Sequence, residues 1–318
     1  VTRLLRATGH RVTLMTPEGK PTFPLPTYPE IRLVLVSPGA VARQIEEARP
    51  DCIHIATEGP LGWFARRHCL KRGLAFTTSF HSRFPEMIAE RLPLPGIERL
   101  AYAILRRFHA PSSATLVPTP TVARRLQALG FEHITVWTRG VDTSQFRLIE
   151  TSMFDGLPRP VMLNAGRVAI EKNIEAFLSL DLPGTKVVVG DGPQLAELRP
   201  RYPDVVFTGY LKGDALSRAL SSADVFVFPS KTDTFGLVML EAMACGVPVA
   251  AFPVEGPIDV ITSDRVGCLD DDLGKAINAA LACRREDCIR FARQHSWQRV
   301  AQMLQGAFVP ACPQLTTE

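Results

Sequence analysis

Along the chain, short apolar runs rich in β-branched residues give way to turns and then to stretches whose apolar residues recur at helical spacing. This is the pattern of a parallel sheet flanked by helices. In the first half it predicts strands at Arg11–Thr16, Ile31–Val36, Cys52–Ala56, Ala75–Ser79, Thr115–Pro118 and Ile134–Val136. In the second half it predicts strands at Val161–Ala165, Lys186–Val189, Val205–Phe207, Val225–Pro229 and Pro248–Phe252. Two α/β domains follow. The alternation lapses between Val136 and Val161, where Gly140, Asp142, Phe146, Gly156, Pro158 and Pro160 accumulate, so the linker is expected there and the domains at 1–148 and 149–318. Val1–Ala7 reads as the last turns of an amphipathic helix closed by Gly9 and followed at once by a strand. A parallel sheet puts a strand and a loop before such a helix, so both are expected ahead of Val1.

A length of 318 residues agrees with two domains at roughly 150 residues each. Mean hydropathy of +0.08, with 46% apolar and 21% charged residues, excludes a polytopic membrane protein and a charge-dominated disordered chain. The longest nearly apolar stretch, Leu237–Val254, contains Glu241, Gly246 and Pro248, and reads as a buried helix followed by a buried strand. No basic-then-apolar leader is recognisable. The seven cysteines form neither a CxxC pair nor a Cys/His cluster with zinc spacing, which predicts inert thiols in a reducing cytoplasm and no metal site.

Charge divides unevenly. Residues 1–150 carry 20 Lys and Arg against 12 Asp and Glu, a balance of +8, and residues 151–318 carry 16 against 20, a balance of −4. Between Arg83 and His109, arginines 83, 91, 99, 106 and 107 interleave with Ile97, Leu100, Ala101, Ile104, Leu105 and Phe108 at helical spacing. Two readings stand: a solvated helix face packed on the core, or peripheral contact with an anionic membrane, each basic residue adding roughly 1 kcal/mol. A nucleic-acid partner is disfavoured, because interleaved aromatics and a binding motif are missing.

The most informative segment is ADVFVFPSKTDTFGLVMLEAMACGVPV from Ala223. A buried strand ends at Pro229 and Ser230, a polar turn holds Asp233, and a helix starts near Phe235 or Gly236 and carries Glu241 about two turns in. Such a loop lies at the carboxyl edge of the sheet, where open α/β sheets bind ligands, and the helix start offers free N–H groups to an anion. Asp233 and Glu241, eight residues apart, suit hydroxyls of one extended sugar ligand, or else are a cap-region acid and an incidental glutamate. In NAGRVAIEKN, residues 164–173, a strand ends at Gly166 and places Arg167 and Lys172 where both cations can meet a diphosphate. VVVGDGPQLAEL, residues 187–198, lacks the third glycine of a dinucleotide fingerprint, and no GxxxxGK[ST] loop is present. In FTTSFHSRFPE, residues 76–86, His81 and Arg83 follow a strand, and Glu58 occupies the corresponding place in HIATEGPLG.

Taken in order, GRVAIEKN, VVVGDGP, FTGYLKGDAL and VFVFPSKTDTFGLVMLEAMACGVPVAA resemble family 4 retaining glycosyltransferases of the GT-B fold. The resemblance extends through RATGHRVTLMTPEG, PLPTYPEIRL, TSFHSRFPE and TRGVDTSQF, and so over nearly the whole chain. TDTFG and FHSRFPE look most like the bacterial branch holding GDP-mannose-dependent α-mannosyltransferases and sulfoquinovosyltransferases. The resemblance implies two Rossmann-like domains facing across a cleft, a GDP- or UDP-sugar donor, a lipid or glycan acceptor, no cofactor and no required metal. Lys172 and Arg167 match the cations that neutralise the leaving diphosphate. Glu241 matches the ribose-binding glutamate. Asp233 stands where a glutamate usually binds the donor sugar. By the same resemblance Thr234, Phe235, Gly236 and Leu237 meet sugar and phosphates through backbone N–H groups, His81 lies near the reacting centre, and Tyr210 and Leu211 near the nucleobase. Position after a strand, rather than the resemblance, places Glu58 and Arg83 on the acceptor side.

The family begins with a strand and a glycine-rich loop over the donor phosphates, and this chain starts after that loop. The alternatives carried forward are a non-catalytic nucleotide-sugar-binding remnant and a GT-B nucleotide-sugar epimerase. The placement implied for the leading reading is cytoplasmic, at the inner face of the plasma membrane where the acceptor is a lipid.

Overall fold

A computed structural model describes residues 1–25, 28–81, 84–92 and 94–311 of the chain. Its strands are β1 (Thr22–Leu25), β2 (Tyr28–Val34), β3 (His54–Ile55), β4 (Thr77–Ser79), β5 (Ala114–Val117), β6 (Ile134–Val136), β7 (Val161–Ala165), β8 (Thr185–Val189), β9 (Val206–Gly209), β10 (Val225–Phe228), β11 (Val249–Ala251) and β12 (Gly267–Leu269). The chain divides into two compact units, Val1–Thr138 with the stretch from Ala301 onward, and Arg139–Val300.

The second unit is a six-stranded parallel sheet in the order β12-β11-β10-β7-β8-β9. Val161, Leu163 and Ala165 of β7 enter one apolar cluster with Phe226, Phe228, Met239 and Leu240. Met162 enters the cluster on the opposite face with Val225, Val227, Phe177 and Ile277. Both faces are therefore covered, which is why these strands read in the sequence as unbroken apolar runs rather than alternating ones. Strand order reverses between β7 and β10. That switch point leaves the loops following these two strands side by side at the carboxyl edge.

The first unit has a four-stranded parallel sheet, β3-β4-β5-β6, and a separate antiparallel hairpin in which Thr22 of β1 pairs with Val34 of β2. Helix starts here carry the expected chemistry: Ser37 accepts from the Ala40 N–H, and Thr119 accepts from the Val122 N–H with Pro120 in the first turn.

Three expectations change, and two strands appear that the pattern did not predict. Arg11–Thr16 is not a strand: it has no ladder partner among the described residues, and Leu14 is 57% exposed. The Ile31–Val36 run forms β2, but in the hairpin rather than the parallel sheet, because β1 supplies a neighbour close in sequence. β1, which contains Pro24, and β12, which is three residues long and starts at Gly267, give too weak a pattern to be foreseen. The expected boundary after residue 148 also differs from the division seen. Val141 donates to the His295 carbonyl at 2.9 Å, and Val141 and Phe146 lie in the second unit's core. The terminal stretch instead returns to the first unit, where Ala311 donates to Asp51 and accepts from Ala75.

Close backbone approach fixes the loops at the carboxyl edge. Gly190, at φ +147°, ends β8 so near Gly166 that a Cβ would stand 1.8 Å from the Gly166 carbonyl oxygen. Gly190→Ala is expected to cost about 3 kcal/mol and to lower Tm by roughly 6–12 °C in a thermal melt. Gly306→Ala, where a Cβ meets open space in a helix, is expected to leave Tm unchanged or slightly raised. Equal melting of the two variants would refute this account of the contact.

Candidate active site

The loop after β7 turns at Gly166, runs through Arg167, and closes in a 3-10 turn at Ile170–Lys172 followed by left-handed Asn173. The loop after β10 runs from Pro229 to Gly236. Several contacts join the two loops, among them the Ser230 hydroxyl donating to the Glu171 carbonyl at 3.5 Å. The Lys172 ammonium Nζ donates to both carboxylate oxygens of Asp233, at 2.7 and 2.8 Å. Asn173 Nδ2 donates to the Pro229 carbonyl at 3.0 Å, and the Thr232 hydroxyl donates to the Glu171 carbonyl at 3.1 Å. Lys172 and Asp233 side chains are 30% and 22% exposed, so the ion pair stays within reach of a ligand.

Arg167 lies on the same loop, with its guanidinium 3.6 Å from Glu171, four residues on. The structure therefore brings Lys172 together with Asp233 and sets Arg167 beside Glu171. Gly236 adopts φ +77° and caps the helix Leu237–Ala244. A Cβ there would lie 2.8 Å from both Met239 Cε and Phe228 Cζ, so this position requires glycine on two counts. The first helical N–H groups, from Leu237 on, lie at an end where intrahelical partners are lacking. Phe235 is buried in the core, so only its backbone is offered to a ligand.

The helix begins at Leu237, so Glu241 stands about one turn into it, not two as the spacing suggested. Burial pushes its carboxyl up to about 7. A third loop, after β11, presses on the second: a Cβ on Gly256 would stand 2.7 Å from the Asp233 carbonyl oxygen. Sequence reasoning passed over this loop, although Gly256-Pro257 after a buried strand marks it. Tyr210 and Leu211 follow β9, the former 72% exposed and the latter packed on the core.

In the first unit, His81 lies two residues beyond β4 with its ring 6.2 Å from that of Trp137. Arg83 lies outside the described residues. Glu58, three residues beyond β3, places Oε1 3.2 Å from Nε2 of His109, a buried residue that sequence reasoning did not single out. Its only signal is position: 109 falls on the same helical face as Tyr102 and Leu105. Arg139, in the TRGVD segment, was also passed over; burial draws its guanidinium down to about 10.

Among the described residues, no group of three or more His, Cys, Asp or Glu side chains is disposed to hold a metal ion. Burial raises the thiols of Cys69, Cys245 and Cys288 to about 11, 12 and 12, which removes them as nucleophiles near neutral pH.

Comparison with known proteins bears on the family and the fold. The family model "Glycosyltransferase Family 4" matches residues 1–145, and "Glycosyl transferases group 1" matches residues 159–285. The GDP-mannose-dependent alpha-mannosyltransferase of Mycolicibacterium smegmatis is 32% identical over 96% of this chain and 90% of its own length. Sulfoquinovosyl transferase SQD2 of Arabidopsis thaliana is 31% identical over 83% of this chain, which spans only 57% of that relative's length. Among solved structures, sucrose-phosphate synthase from Thermosynechococcus elongatus superposes with a TM-score of 0.74 at 18% identity, covering 95% of this chain and 89% of that one. Anabaena HepE in complex with UDP-glucose gives 0.65 at 18% identity, covering 96% and 88%. The fold is that of the GT-B class, two Rossmann-like units each built on a parallel sheet. The chain belongs to the family 4 glycosyltransferases.

The raised Glu241 carboxyl makes stability depend on pH. Between the unfolded value near 4.5 and the folded value of about 7, the native state holds a proton that the unfolded chain has released, so stability falls as pH rises through that window. Glu241→Gln removes this cost. Denaturant unfolding should show the variant and the parent chain alike at pH 4.5, and the variant more stable by on the order of 2–3 kcal/mol at pH 8. A difference independent of pH would contradict the assignment.

Proposed function

We propose that the protein moves a hexosyl group, with mannosyl favoured, from a nucleoside diphosphate sugar to a hydroxyl of a lipid or glycan acceptor, with retention at the anomeric carbon. The observation that carries this reading is the Lys172–Asp233 contact at the strand-order switch point. It sets a cation for a diphosphate beside a carboxylate for sugar hydroxyls. Glu241 adds a second carboxylate for the ribose hydroxyls once ionised, and Arg167 a second cation for the diphosphate. GDP-mannose in the name of the Mycolicibacterium relative and UDP-glucose in the HepE structure support the donor class and leave both nucleotides in play.

In the reaction the acceptor oxygen forms its bond to the anomeric carbon on the face that the diphosphate leaves. The carbon–oxygen bond to the diphosphate breaks with its electron pair, and the diphosphate takes the acceptor's proton. The protein's share is to stabilise charge on the leaving group, which Lys172 and Arg167 supply without a metal. His81 and Glu58 belong to the acceptor side of this scheme.

Turnover of a GDP-mannose and UDP-sugar panel, followed by nucleotide release, tests it. Lys172→Ala is expected to cut turnover by about 10²–10³ with an unchanged far-ultraviolet spectrum and Tm within a few degrees. Unchanged turnover would remove Lys172 from the mechanism, and failure of the parent chain to bind any nucleotide sugar in calorimetry would remove the whole reading.

The reading includes a cytoplasmic enzyme meeting a lipid acceptor at the inner face of the membrane. No helix among the described residues is long and apolar enough to cross a membrane. Helix Ile97–His109 buries Tyr102, Leu105, Phe108 and His109, while Leu100 and Ile104 are 57% and 48% exposed. Arg99, Arg106 and Arg107 make no ion pair among the described residues, so this outward face joins apolar and cationic groups. Co-sedimentation should show retention on anionic vesicles and not on zwitterionic ones. Replacing Leu100 and Ile104 by Ser should lower retention about tenfold, and equal retention on both vesicle types would argue against a membrane acceptor.

A further inference from the structure

The first unit contains a hydrogen-bonded chain that packing does not require. Thr78, Ser112 and Thr115 are fully or almost fully buried, and the Thr78 hydroxyl lies 3.2 Å from the Ser112 oxygen and 3.3 Å from that of Thr115. His109, 2% exposed, continues the chain: Nδ1 is 2.9 Å from the Thr78 oxygen and Nε2 is 3.2 Å from Glu58 Oε1. The imidazole is surrounded by the rings of Phe108, Phe80 and Phe131, with centroids 5.0, 6.1 and 6.0 Å away. An apolar side chain would fill that aromatic cage without burying two ring nitrogens.

The proton inventory gives the chain a direction. The Thr78 hydroxyl donates toward Ser112 and Thr115, so its oxygen accepts from Nδ1–H of His109. Nε2 and Glu58 Oε1 then hold one proton between them. Glu58 is the one member that reaches solvent, with its side chain 23% exposed, and its other oxygen, Oε2, accepts no hydrogen bond from the described residues. His109 thus occupies one carboxylate oxygen and leaves the other for a ligand.

We propose that Glu58 binds the hydroxyl of the acceptor through Oε2 and that His109 is its positioning residue, fixed in turn by Thr78. Glu58 follows the carboxyl end of β3 in the unit that carries the acceptor in the reading above, and the proposal rests on that reading. The ligand class is a neutral polyol or a sugar hydroxyl, which donates a hydrogen bond to a carboxylate oxygen. His109 does not touch the acceptor. It removes the carboxylate's rotational freedom and selects which oxygen faces outward.

The test uses glycerol as a generic hydroxyl acceptor and reads how the hexosyl group partitions between glycerol and water with a saturating donor. The ratio of glycoside to free sugar reports acceptor placement and is insensitive to loss of folded protein, which lowers both products equally. His109→Leu and Glu58→Gln are each expected to lower the ratio at least tenfold while donor affinity in calorimetry stays within twofold. His109→Gln, which keeps an N–H donor toward Glu58, is expected to recover the ratio to within about threefold of the parent chain. If His109→Leu does not fold, Glu58→Gln at the solvent end and His109→Gln still decide the matter. A ratio unchanged in Glu58→Gln, or lowered equally in His109→Gln and His109→Leu, would overturn the proposal with the transferase reading intact. A parent chain that binds no nucleotide sugar would instead overturn that reading, and the proposal with it.

Discussion

The Lys172–Asp233 contact spans 61 residues of sequence and the one place in the second sheet where the chain reverses its direction of winding. β7 and β10 are hydrogen-bonded neighbours there, with Met162 opposite Val225 and Leu163 opposite Phe226. The segments that follow the two strands lead away in opposite senses, so no shared helix covers the gap between their loops. What joins the loops is polar: a bidentate ion pair and side-chain to carbonyl bonds from Asn173, Ser230 and Thr232. An ion pair this exposed contributes little to stability, typically about 0–1 kcal/mol. Its value is positional. It keeps an ammonium and a carboxylate at one point of the sheet edge, where the proposed function needs a cation for phosphates beside an acceptor for hydroxyls.

Two carboxylates of the same helix–loop segment have opposite surroundings. Asp233 faces a cation, is reachable by solvent, and has both oxygens on Lys172. Glu241 is buried deeply enough for desolvation alone to bring its titration to about 7. A sequence selected for stability alone would place an apolar side chain at Glu241, among Met239, Leu240, Ala242 and Met243, which are all fully buried. A local rule broken without structural benefit is expected of a functional position, which supports the donor-binding role proposed for Glu241.

These differences explain what the amino-acid pattern revealed. The second unit was legible because its strands are covered on both faces, so Val161–Ala165 and Val225–Phe228 appear as compact apolar blocks. The first unit was less so. β3 has two residues and β4 three, and Arg11–Thr16 has strand-like composition but no ladder partner among the described residues. Helical spacing in Ile97–His109 identified the element but not which of its two apolar stripes faces inward: Leu105 and Phe108 are buried, Leu100 and Ile104 are not. At the site, spacing located Asp233 and Glu241 relative to a helix start with an error of one turn. The bond between Lys172 and Asp233 was out of reach, because only the strand order makes the two loops neighbours.

The same limit hid His109, and the comparison with Asp233 shows what kind of residue escapes such reading. Asp233 is held by a flexible ammonium at the surface, so its partner belongs to a motif recognisable by charge. Glu58 is held by an imidazole within an aromatic cage, and that imidazole is held by a threonine in the middle of β4. Histidine, threonine and serine at buried positions carry no pattern that separates them from ordinary packing. A strand residue such as Thr78 is oriented by its ladder, His109 is oriented by Thr78, and Glu58 by His109, so that rigidity passes from backbone to carboxylate through three side chains. Each step is short and buried until the last. On the proposal above, a carboxylate supported in this way holds one orientation and turns its second oxygen toward an uncharged hydroxyl. Asp233 shares its charge with Lys172, which suits a ligand that brings phosphates.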